Sequence, residues 1–353
     1  MICPHCEQSL LRKERPGNVC SKCGRTYALD PKTNPLRLSD LRIRRLVLRL
    51  TEEGKVPCVP GQLWYAASRK SLRGTKGSLG CAVMLALVGI VVGFVGLEAG
   101  LVPYRVIGGL SLLAAFGFVV ARVRGVGRGR SRLSRDAFLS GPLREWRSVY
   151  GALPIGVIDE SRYPFAPGAR EEHRRAPGEP PSRGLVLVCP DRSIAVFLDA
   201  VGLTSRYGLT LATDPEQVST PPGETGPRPV LVLHDADAHG LLLADLIRTA
   251  LPGRWVIDIG LPLSAVDGPS RAVPMRGKRP APHVMQALME SGRFSPRQLK
   301  WLRRGWGFPL VAVPPAKLLA VVARAVERAG AAVDPQWQRA AAAGFMTWPE
   351  ESG

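Results

Sequence analysis

Four cysteines near the start of the chain have the spacing that most clearly predicts chemistry. They form two CxxC pairs with thirteen residues between them, Cys3, Cys6, Cys20 and Cys23. Zinc prefers four soft ligands in a tetrahedron, and two such pairs supply them from a short, loop-rich segment. Gly24 follows the second pair, where a tight turn around the metal is needed. The spacing predicts a structural zinc site held by residues 1–38.

Residues 1–38 are too few to bury a stabilising core alone, so a metal must supply the stability. Two disulfides are the competing interpretation, but a cytoplasmic location keeps thiols reduced. His5 lies inside the first pair and could replace a cysteine as a ligand. The segment resembles bacterial zinc ribbons of the CPxC…CxxCG type, some of which bind nucleic acid and others partner proteins. The resemblance by itself therefore implies no activity. A protein partner for the ribbon is possible, and nucleic acid is possible but not favoured.

A second candidate site is the segment His234–Gly240, which reads HDADAHG. It lies between a predicted strand and a predicted helix, where open parallel sheets bind ligands. Asp235 and Asp237 are two residues apart, so a tight turn can aim both carboxylates at one Mg²⁺. Gly240 permits a close turn into the helix. We take these three as candidate cofactor-binding residues and the two aspartates as candidate catalytic residues. A simple aspartate cap on the helix is weighted equally.

The sequence around this motif, PVLVLHDADAHGLLLADLIR, resembles the second motif of Toprim domains, found in topoisomerases, bacterial primases and recombination nucleases. The resemblance covers roughly residues 184–262 and implies a parallel α/β fold with a magnesium site. The first motif of that family is a glutamate at the end of the first strand. Here that strand ends in Cys189–Pro190, and Asp191 lies two residues further on. The departure favours a module without catalytic activity.

Other residues of the C-terminal region suggest further chemistry. His234 and His239, together with the aspartates, could ligate zinc or iron, and Cys189 could be a nucleophile; a buried, inert Cys189 is the more common situation. The segment 295–308, SPRQLKWLRRGWGF, is basic and aromatic, as in proteins that bind single-stranded nucleic acid. A surface helix with Trp301 buried is the alternative that we favour.

Apolar runs alternate with helical segments over residues 184–330, which predicts a mainly parallel sheet covered on both faces. Residues 331–353 are a C-terminal tail. The predicted helices are 191–201, 240–251 and 317–329, and the predicted strands are 184–190, 209–213, 229–235, 254–260 and 308–313.

Two apolar stretches, residues 79–97 and 106–123, are long enough to cross a membrane. Each spans roughly 27–29 Å as a helix, close to the thickness of the hydrocarbon core. They predict a transmembrane hairpin over residues 79–123, and a pair of helices buried in a soluble core is the alternative. Gly89 and Gly93 form a GxxxG motif, and small residues let two membrane helices approach closely.

The net charge of +19 is concentrated around these stretches, with +16 of it before residue 136. Basic residues on both outer flanks of a hairpin place those flanks in the cytoplasm. We therefore expect two spans in the cell membrane, both termini in the cytoplasm, and contact with anionic headgroups. Topology explains the charge better than nucleic-acid binding does. The flanking residues are Arg69, Lys70, Arg73, Lys76, Arg122, Arg124, Arg128, Arg130, Arg132 and Arg135.

Two connecting segments complete the predicted organisation. Residues 39–78 are a short basic helical segment, either a degenerate helix-turn-helix or a collar that packs above the membrane. Residues 124–183 are a basic linker rich in Pro and Gly, with an amphipathic helix at 136–150. The whole arrangement resembles bacterial membrane proteins. We expect a membrane-anchored scaffold that binds a protein, nucleotide or nucleic acid, or alternatively a magnesium-dependent phosphoester enzyme.

Overall fold

The computed structural model describes six stretches of the chain, residues 1–74, 77–123, 128–165, 185–218, 229–263 and 272–333. It divides into two compact units. The first combines Met1–Ala67 with Leu133–Gly353, and the second is Ser68–Arg132. The predicted linker segment 166–183 and most of the tail lie outside the described residues.

The first unit begins with the cysteine-bearing loops, followed by helices α1 (Asp40–Leu50) and α2 (Pro60–Leu72). Helix α1 begins where Ser39 accepts a hydrogen bond from the Arg42 N–H, an ordinary N-cap. Its Ile43 and Val47 side chains are buried. The spacing of four residues places them on one face, which packs against the interior.

Helical structure also covers the predicted amphipathic segment 136–150. Helix α5 (Arg135–Phe138) continues through a π-helical turn at Leu139–Leu143 into α6 (Arg144–Tyr150). Pro142 lies inside the turn and cannot donate a backbone hydrogen bond, which accounts for the irregularity. Three apolar side chains are buried beneath these helices, Phe138, Leu143 and Trp146.

The α/β region contains a four-stranded sheet of β1 (Val186–Val188), β2 (Thr210–Ala212), β3 (Val230–Val232) and β4 (Val256–Asp258). The strand order is β2-β1-β3-β4 and every pairing is parallel, as the apolar runs predicted. The central strands β1 and β3 are buried along their whole length, because helices cover both faces.

Three helices connect these strands, α7 (Arg192–Ala200), α8 (Leu203–Tyr207) and α9 (Gly240–Ala250). Because β2 lies on one side of β1 and β4 on the far side of β3, the order reverses between β1 and β3. The loops that follow β1 and β3 therefore meet at the topological switch point, where such sheets bind ligands.

A second, smaller layer follows the sheet. It consists of β5 (Met275–Arg276), α10 (Pro282–Glu290), α11 (Pro296–Arg303), β6 (Trp306–Gly307) and α12 (Pro315–Val333). Strands β5 and β6 pair antiparallel. The helices pack with the segment after β3 around a shared apolar cluster that includes Leu288, Leu302 and Phe308.

The predicted strand at 308–313 is wrong, because the chain forms a 3₁₀ turn at Leu310–Ala312. Pro309 and Pro314 flank this turn and cannot donate backbone hydrogen bonds to a neighbouring strand. The residues are apolar because they are buried, and burial alone does not distinguish a strand from a turn.

The second unit is a pair of long apolar helices, α3 (Gly77–Glu98) and α4 (Val102–Val123). They touch at glycines: a Cβ added to Gly108 would lie 2.7 Å from the Cα of Gly93. Among the described residues, one stretch, Val102–Val120, is long and apolar enough to cross a membrane by length and composition. The apolar stretch of α3, Ala82–Glu98, is shorter.

Candidate functional site

The four cysteines predicted as metal ligands converge in the structure. Their sulfur atoms all lie within 4.8 Å of one another. The Sγ atoms of Cys3 and Cys23 are 3.9 Å apart, and those of Cys6 and Cys20 are 3.8 Å apart. A tetrahedron with Zn–S bonds of about 2.3 Å has edges of about 3.8 Å. The cluster could therefore hold a metal ion, and all four cysteines are free thiols.

The two CxxC pairs form nearly identical loops. The Cys3 N–H donates to the Gln8 carbonyl at 3.0 Å, and the Cys20 N–H donates to the Arg25 carbonyl at 3.0 Å. The residue after each pair has a positive φ, 59° at Glu7 and 69° at Gly24. The sequence identified this turn at Gly24 only, since an L-residue such as Glu7 seldom adopts this conformation.

His5 does not take the place of a cysteine. Its Nε2 lies 2.9 Å from the Thr26 carbonyl oxygen, directly beyond the second loop. A nitrogen that donates to a carbonyl is not free to bind a metal. His5 therefore links the two loops around the sulfur cluster.

The ribbon is attached to the rest of the unit by buried polar contacts centred on Asp40. Its carboxylate is fully buried and accepts hydrogen bonds from the Ala28 and Leu29 N–H groups at 2.9 and 2.8 Å. The Tyr150 hydroxyl donates to the same carboxylate at 2.5 Å. Burial and Asp40 raise the pKa of Tyr150, which keeps this donor protonated. The ribbon, α1 and α6 therefore share one polar core.

Arginines of α1 contribute to this attachment. Arg44 donates to the Pro4 carbonyl at 3.4 Å, and its guanidinium lies over the rings of Trp146 and Tyr150. Arg42 donates to two backbone carbonyls before the helix. Arg42 and Arg44 are thus engaged within the first unit, whereas Arg45 and Arg49 of the same helix are exposed. The choice between a packing collar and a helix-turn-helix stays a prediction.

The second candidate site lies in a crevice of about 670 Å³ at the carboxyl ends of β1, β2 and β3. The predicted residues Asp235, Asp237 and Gly240 line it. Asp191, which follows β1, lines it as well. The predicted residues thus share one crevice, and the geometry of each carboxylate determines what it can bind.

Two of the crevice aspartates cap helices. Asp237 Oδ1 accepts from the Gly240 N–H at 2.8 Å and the His239 N–H at 3.1 Å, at the start of α9. Asp191 Oδ1 accepts from the Ser193 N–H at 2.9 Å, at the start of α7. Each carboxylate satisfies amides that the first turn of a helix leaves unpaired.

Asp235 is engaged differently. Its Oδ1 accepts a 2.7 Å hydrogen bond from the Leu310 N–H, in the turn where a strand was predicted. Burial raises the pKa of Asp235 to about 7, and the neighbouring Asp191 and Asp237 carboxylates add to the rise. Asp235 therefore links the loop after β3 to the small layer that contains α11.

His234 is buried and has an acceptor at each ring nitrogen. Nδ1 lies 2.7 Å from the Asp235 carbonyl oxygen, and Nε2 lies 2.9 Å from Asp258 Oδ1 at the end of β4. Burial alone lowers the pKa of His234, but the hydrogen bonds to Asp258 and to the Asp235 carbonyl, together with the charges of these two aspartates, outweigh burial and raise the pKa. Both nitrogens are occupied, so neither a metal ion nor Cys189 can use this histidine.

The thiol of Cys189 is also a poor candidate for chemistry. It is fully buried, and burial, together with the charges of Asp191 and Asp235, raises its pKa well above the usual range. A nucleophilic cysteine needs a lowered pKa and access to solvent. Cys189 behaves as a small apolar side chain in the core.

Glycines allow the backbone around the motif to approach closely. A Cβ at Gly240 would lie 2.1 Å from the Asp235 carbonyl oxygen, and one at Gly260 would lie 2.3 Å from His234 Nε2. The sequence predicted a close turn at Gly240. No local sequence motif indicates Gly260, because the residue that it contacts, His234, follows a different strand.

Two crevice contacts were missed by the sequence analysis. Arg135, interpreted as a membrane-flanking charge, forms a 3.2 Å ion pair with Asp191. Glu160, assigned to a mobile linker, is hydrogen-bonded to the Ser193 hydroxyl at the start of α7. Burial raises the pKa of Glu160. Both contacts join residues more than thirty positions apart, so no local pattern signals them.

The aspartates of the crevice do not gather as metal ligands. Within the described part of the chain, the four cysteines are the one group of three or more metal-ligand side chains with donor atoms within 4.8 Å of one another. Asp191 forms an ion pair with Arg135, and Asp237 caps the start of α9. The arrangement provides no support for a magnesium ion held by Asp235 and Asp237.

The fold and both sites therefore have to be interpreted from their own geometry. Comparisons with protein-family models, with curated proteins and with solved structures give no match to this chain.

Proposed function

We propose that this chain is a membrane-anchored protein with a cytoplasmic zinc ribbon and a non-catalytic Toprim-like module. The module binds a protein, nucleotide or nucleic acid. Zinc is the metal of the four-cysteine cluster, and its role is structural, since four thiolates leave no open position for a substrate.

One observation carries the non-catalytic assignment, namely that the crevice carboxylates are used by the chain itself. Asp191 and Asp237 cap α7 and α9, and Asp235 holds the Leu310 amide. A phosphoryl-transfer site needs carboxylates free to hold a metal ion or move a proton. The occupied helix N-termini also leave few amides for a phosphate group.

The membrane anchor is supported by the long apolar helices α3 and α4. Large apolar side chains cover their outer surfaces, with Leu113 and Phe116 each 68% exposed. Arg105, in the predicted outer turn, donates to the Gly96 carbonyl at 3.0 Å and so closes the end of α3. Both spans and the cytoplasmic termini remain part of the proposal.

Reporter fusions test the topology directly. A periplasmic alkaline phosphatase fused at Gly100 is expected to be active, and the same enzyme fused after Gly353 inactive. A fluorescent protein that folds only in the cytoplasm gives the reverse pattern. Active phosphatase at the C-terminus would overturn the assignment of both termini to the cytoplasm.

Magnesium binding separates the module from its alternative, a magnesium-dependent phosphoester enzyme using Asp235 and Asp237. The alternative has one point in its favour, the acidic lining of a crevice at the switch point. We expect millimolar Mg²⁺ to leave the thermal unfolding temperature of the full chain unchanged.

Stabilisation by Mg²⁺ that disappears in Asp235→Asn and persists in Glu290→Gln, an exposed carboxylate outside the crevice, would instead support the enzyme.

The dependence of binding affinity on salt concentration distinguishes the ligand classes proposed for the module. Nucleic-acid binding to the module should weaken steeply between 50 and 200 mM salt (roughly 10³-fold for six phosphate contacts). A protein partner held by apolar contacts should be far less sensitive.

A further inference from the structure

The small layer that contains α11 carries a concentration of positive charge that neither candidate site uses. Residues 272–310 contain eight Lys or Arg and one acidic residue, Glu290, although residues 184–353 together carry only +3. Seven of these cations are exposed, and we call the six other than Arg293 the basic face: Lys278, Arg279, Arg297, Lys300, Arg303 and Arg304.

Four cations of the basic face lie together, Lys278, Arg297, Lys300 and Arg304. Arg297, Lys300 and Arg304 are spaced three and four residues apart, on the same side of α11 and the residue that follows it. The turn after β5 lies beside them, because the Gly277 N–H donates to the Gly305 carbonyl at 2.8 Å. A Cβ at Gly305 would lie 2.7 Å from the Lys278 carbonyl oxygen.

The charges of the basic face are uncompensated within the described residues. Arg293, just before α11, pairs with Asp245 and is therefore not part of the face. No carboxylate of the described residues forms an ion pair with the six cations. A compact group of six unpaired cations attracts a surface of opposite charge.

The aromatic side chains of this layer pack against one another. Trp301 stacks on Trp306 at 6.4 Å and on Phe308 at 6.0 Å between ring centres, and the Arg276 guanidinium lies 5.9 Å from the Trp306 ring. The segment is a packed surface helix, as predicted, but Trp301 is half-buried rather than buried. Single-stranded nucleic acid gains affinity by stacking bases on open aromatic faces, and here those faces are occupied.

We propose that the basic face docks on the anionic headgroups of the bilayer in which the chain is anchored. The proposal rests on the membrane anchor of the proposed function. Nine residues lie between Ala67 and Gly77, and nine lie between Val123 and Leu133. Ten peptide steps span at most about 35 Å when fully extended, which sets an upper limit on the length of each connection to the anchor.

Hydrogen exchange of the full chain in lipid nanodiscs tests the proposal. We expect amides of residues 277–279 and 297–304 to exchange at least threefold more slowly in discs with 30% phosphatidylglycerol than in pure phosphatidylcholine. The difference should vanish in 0.5 M NaCl, where the screening length falls to about 4 Å.

Charge-reversal variants identify the surface. The combination of Lys278→Glu, Arg297→Glu, Lys300→Glu and Arg304→Glu should abolish the lipid-dependent protection, whereas glutamines at the same positions should weaken it. A control with the same charge change reverses four other exposed cations, which are Arg25, Arg45, Arg49 and Lys55, and should keep the protection. Zinc content and thermal unfolding establish that each variant is folded.

Equal exchange in the two lipids, or equal loss of protection in the control, would overturn the proposal. Binding of a (dT)₃₀ oligonucleotide that needs the basic face, without any lipid difference, would reassign the face to nucleic acid. A chain that fails to insert into nanodiscs refutes the anchor instead. In that case flotation of the full chain with phosphatidylglycerol vesicles decides the face by itself: binding that the charge-reversal variant loses supports it, and absence of binding overturns it.

Discussion

The cysteine cluster and the aspartate crevice are both groups of metal-ligand side chains, and the chain uses them in opposite ways. In the ribbon, the Cys3 and Cys20 amides pair with backbone carbonyls, and the four sulfurs face one another. In the crevice, Asp191, Asp235 and Asp237 each accept backbone N–H groups that have no other partner. In the ribbon, backbone hydrogen bonds hold the cysteine side chains in place. In the crevice, the backbone depends on the aspartate side chains to pair its N–H groups.

This difference teaches how to weigh a short motif. A CxxC pair has few structural uses besides holding a metal or forming a disulfide, so its spacing is informative. An aspartate before a helix has a common structural use as a cap, so DxD alone is weak evidence for a metal. A metal ligand and a helix cap are distinguished by whether the side-chain oxygen or sulfur already accepts backbone hydrogen bonds.

Removing a ribbon ligand should have the largest effect. We expect Cys20→Ser to lose the bound zinc and to unfold residues 1–38, since structural zinc contributes about 10–16 kcal/mol of apparent binding free energy in small ribbons. Elemental analysis and hydrogen exchange measure both effects. Cys58→Ser, which changes a buried cysteine outside the cluster, should keep about one zinc per chain. Normal zinc content in Cys20→Ser would contradict the assignment.

The crevice should respond to pH through Asp235. Its folded pKa of about 7 lies above the unfolded value, so ionisation destabilises the native state as pH rises from about 4 to 7. Asp235→Asn mimics the protonated form and can still accept from Leu310. Above pH 8 we expect the variant to be more stable than the wild type by about 2–4 kcal/mol in denaturant unfolding.

Asp258→Asn provides the matched comparison. Burial raises the pKa of Asp258, but the hydrogen bond and charge of His234, with the Gly260 N–H and Arg248, together outweigh burial and lower the pKa. The stabilisation by Asp258 is therefore present above about pH 4 and lost in acid. The Asp258 variant should therefore be less stable than the wild type at neutral pH. Equal pH profiles for the two variants would show that Asp235 is an ordinary exposed carboxylate.

Asp237 distinguishes a cap from a metal ligand. Asp237→Ala should destabilise the chain by about 1 kcal/mol, whereas Asp237→Asn should cost only a few tenths, because asparagine caps helices almost as well as aspartate. Denaturant unfolding without added metal measures the difference. If Asp237→Asn lowers the free energy of unfolding as much as Asp237→Ala does, the negative charge at this position matters. The crevice would then resemble the cysteine cluster in needing its ligand side chain for more than a cap.

The two cysteine loops should differ slightly in strain. Glu7 has a φ of 59°, which costs an L-residue more than glycine, so Glu7→Gly should stabilise the ribbon by about 0.5–1 kcal/mol. Gly24→Ala, at the matching position, should destabilise it by a similar amount. Competition for zinc with a chelator of known affinity measures both. Loss of zinc affinity in Glu7→Gly would show that the Glu7 side chain has a role of its own.

Much of the fold could be predicted because its signals are local. Solid apolar runs such as Val186–Val188 and Val230–Val232 mark strands buried on both faces, and the parallel order follows from the helices between them. The four cysteines were found by spacing alone. In both cases neighbouring residues in the sequence determine the result.

The remainder depends on distant partners. Arg135 belongs by sequence to the basic flank of α4, yet it pairs with Asp191, 56 residues away. The run at 308–313 has the composition of a strand, but its prolines and the bond from Leu310 to Asp235 give a turn. The partner of a carboxylate cannot be predicted from the residues next to it in the sequence. The sequence therefore placed Asp235 and Asp237 at the end of β3 but could not predict what each carboxylate binds.

The division of the first unit into two sequence segments has a consequence for its biosynthesis. Tyr65, in α2, exchanges hydrogen bonds with the Val273 carbonyl and N–H at 2.7 and 2.8 Å, and Gln62 donates to Val313 at 3.2 Å. A ribosome adding 5–20 residues per second needs about 10–40 s to travel from Tyr65 to Val273. Through that interval α2 lacks the partner of its Tyr65 and Gln62 side chains, which makes the emerging N-terminal segment a natural client for chaperones.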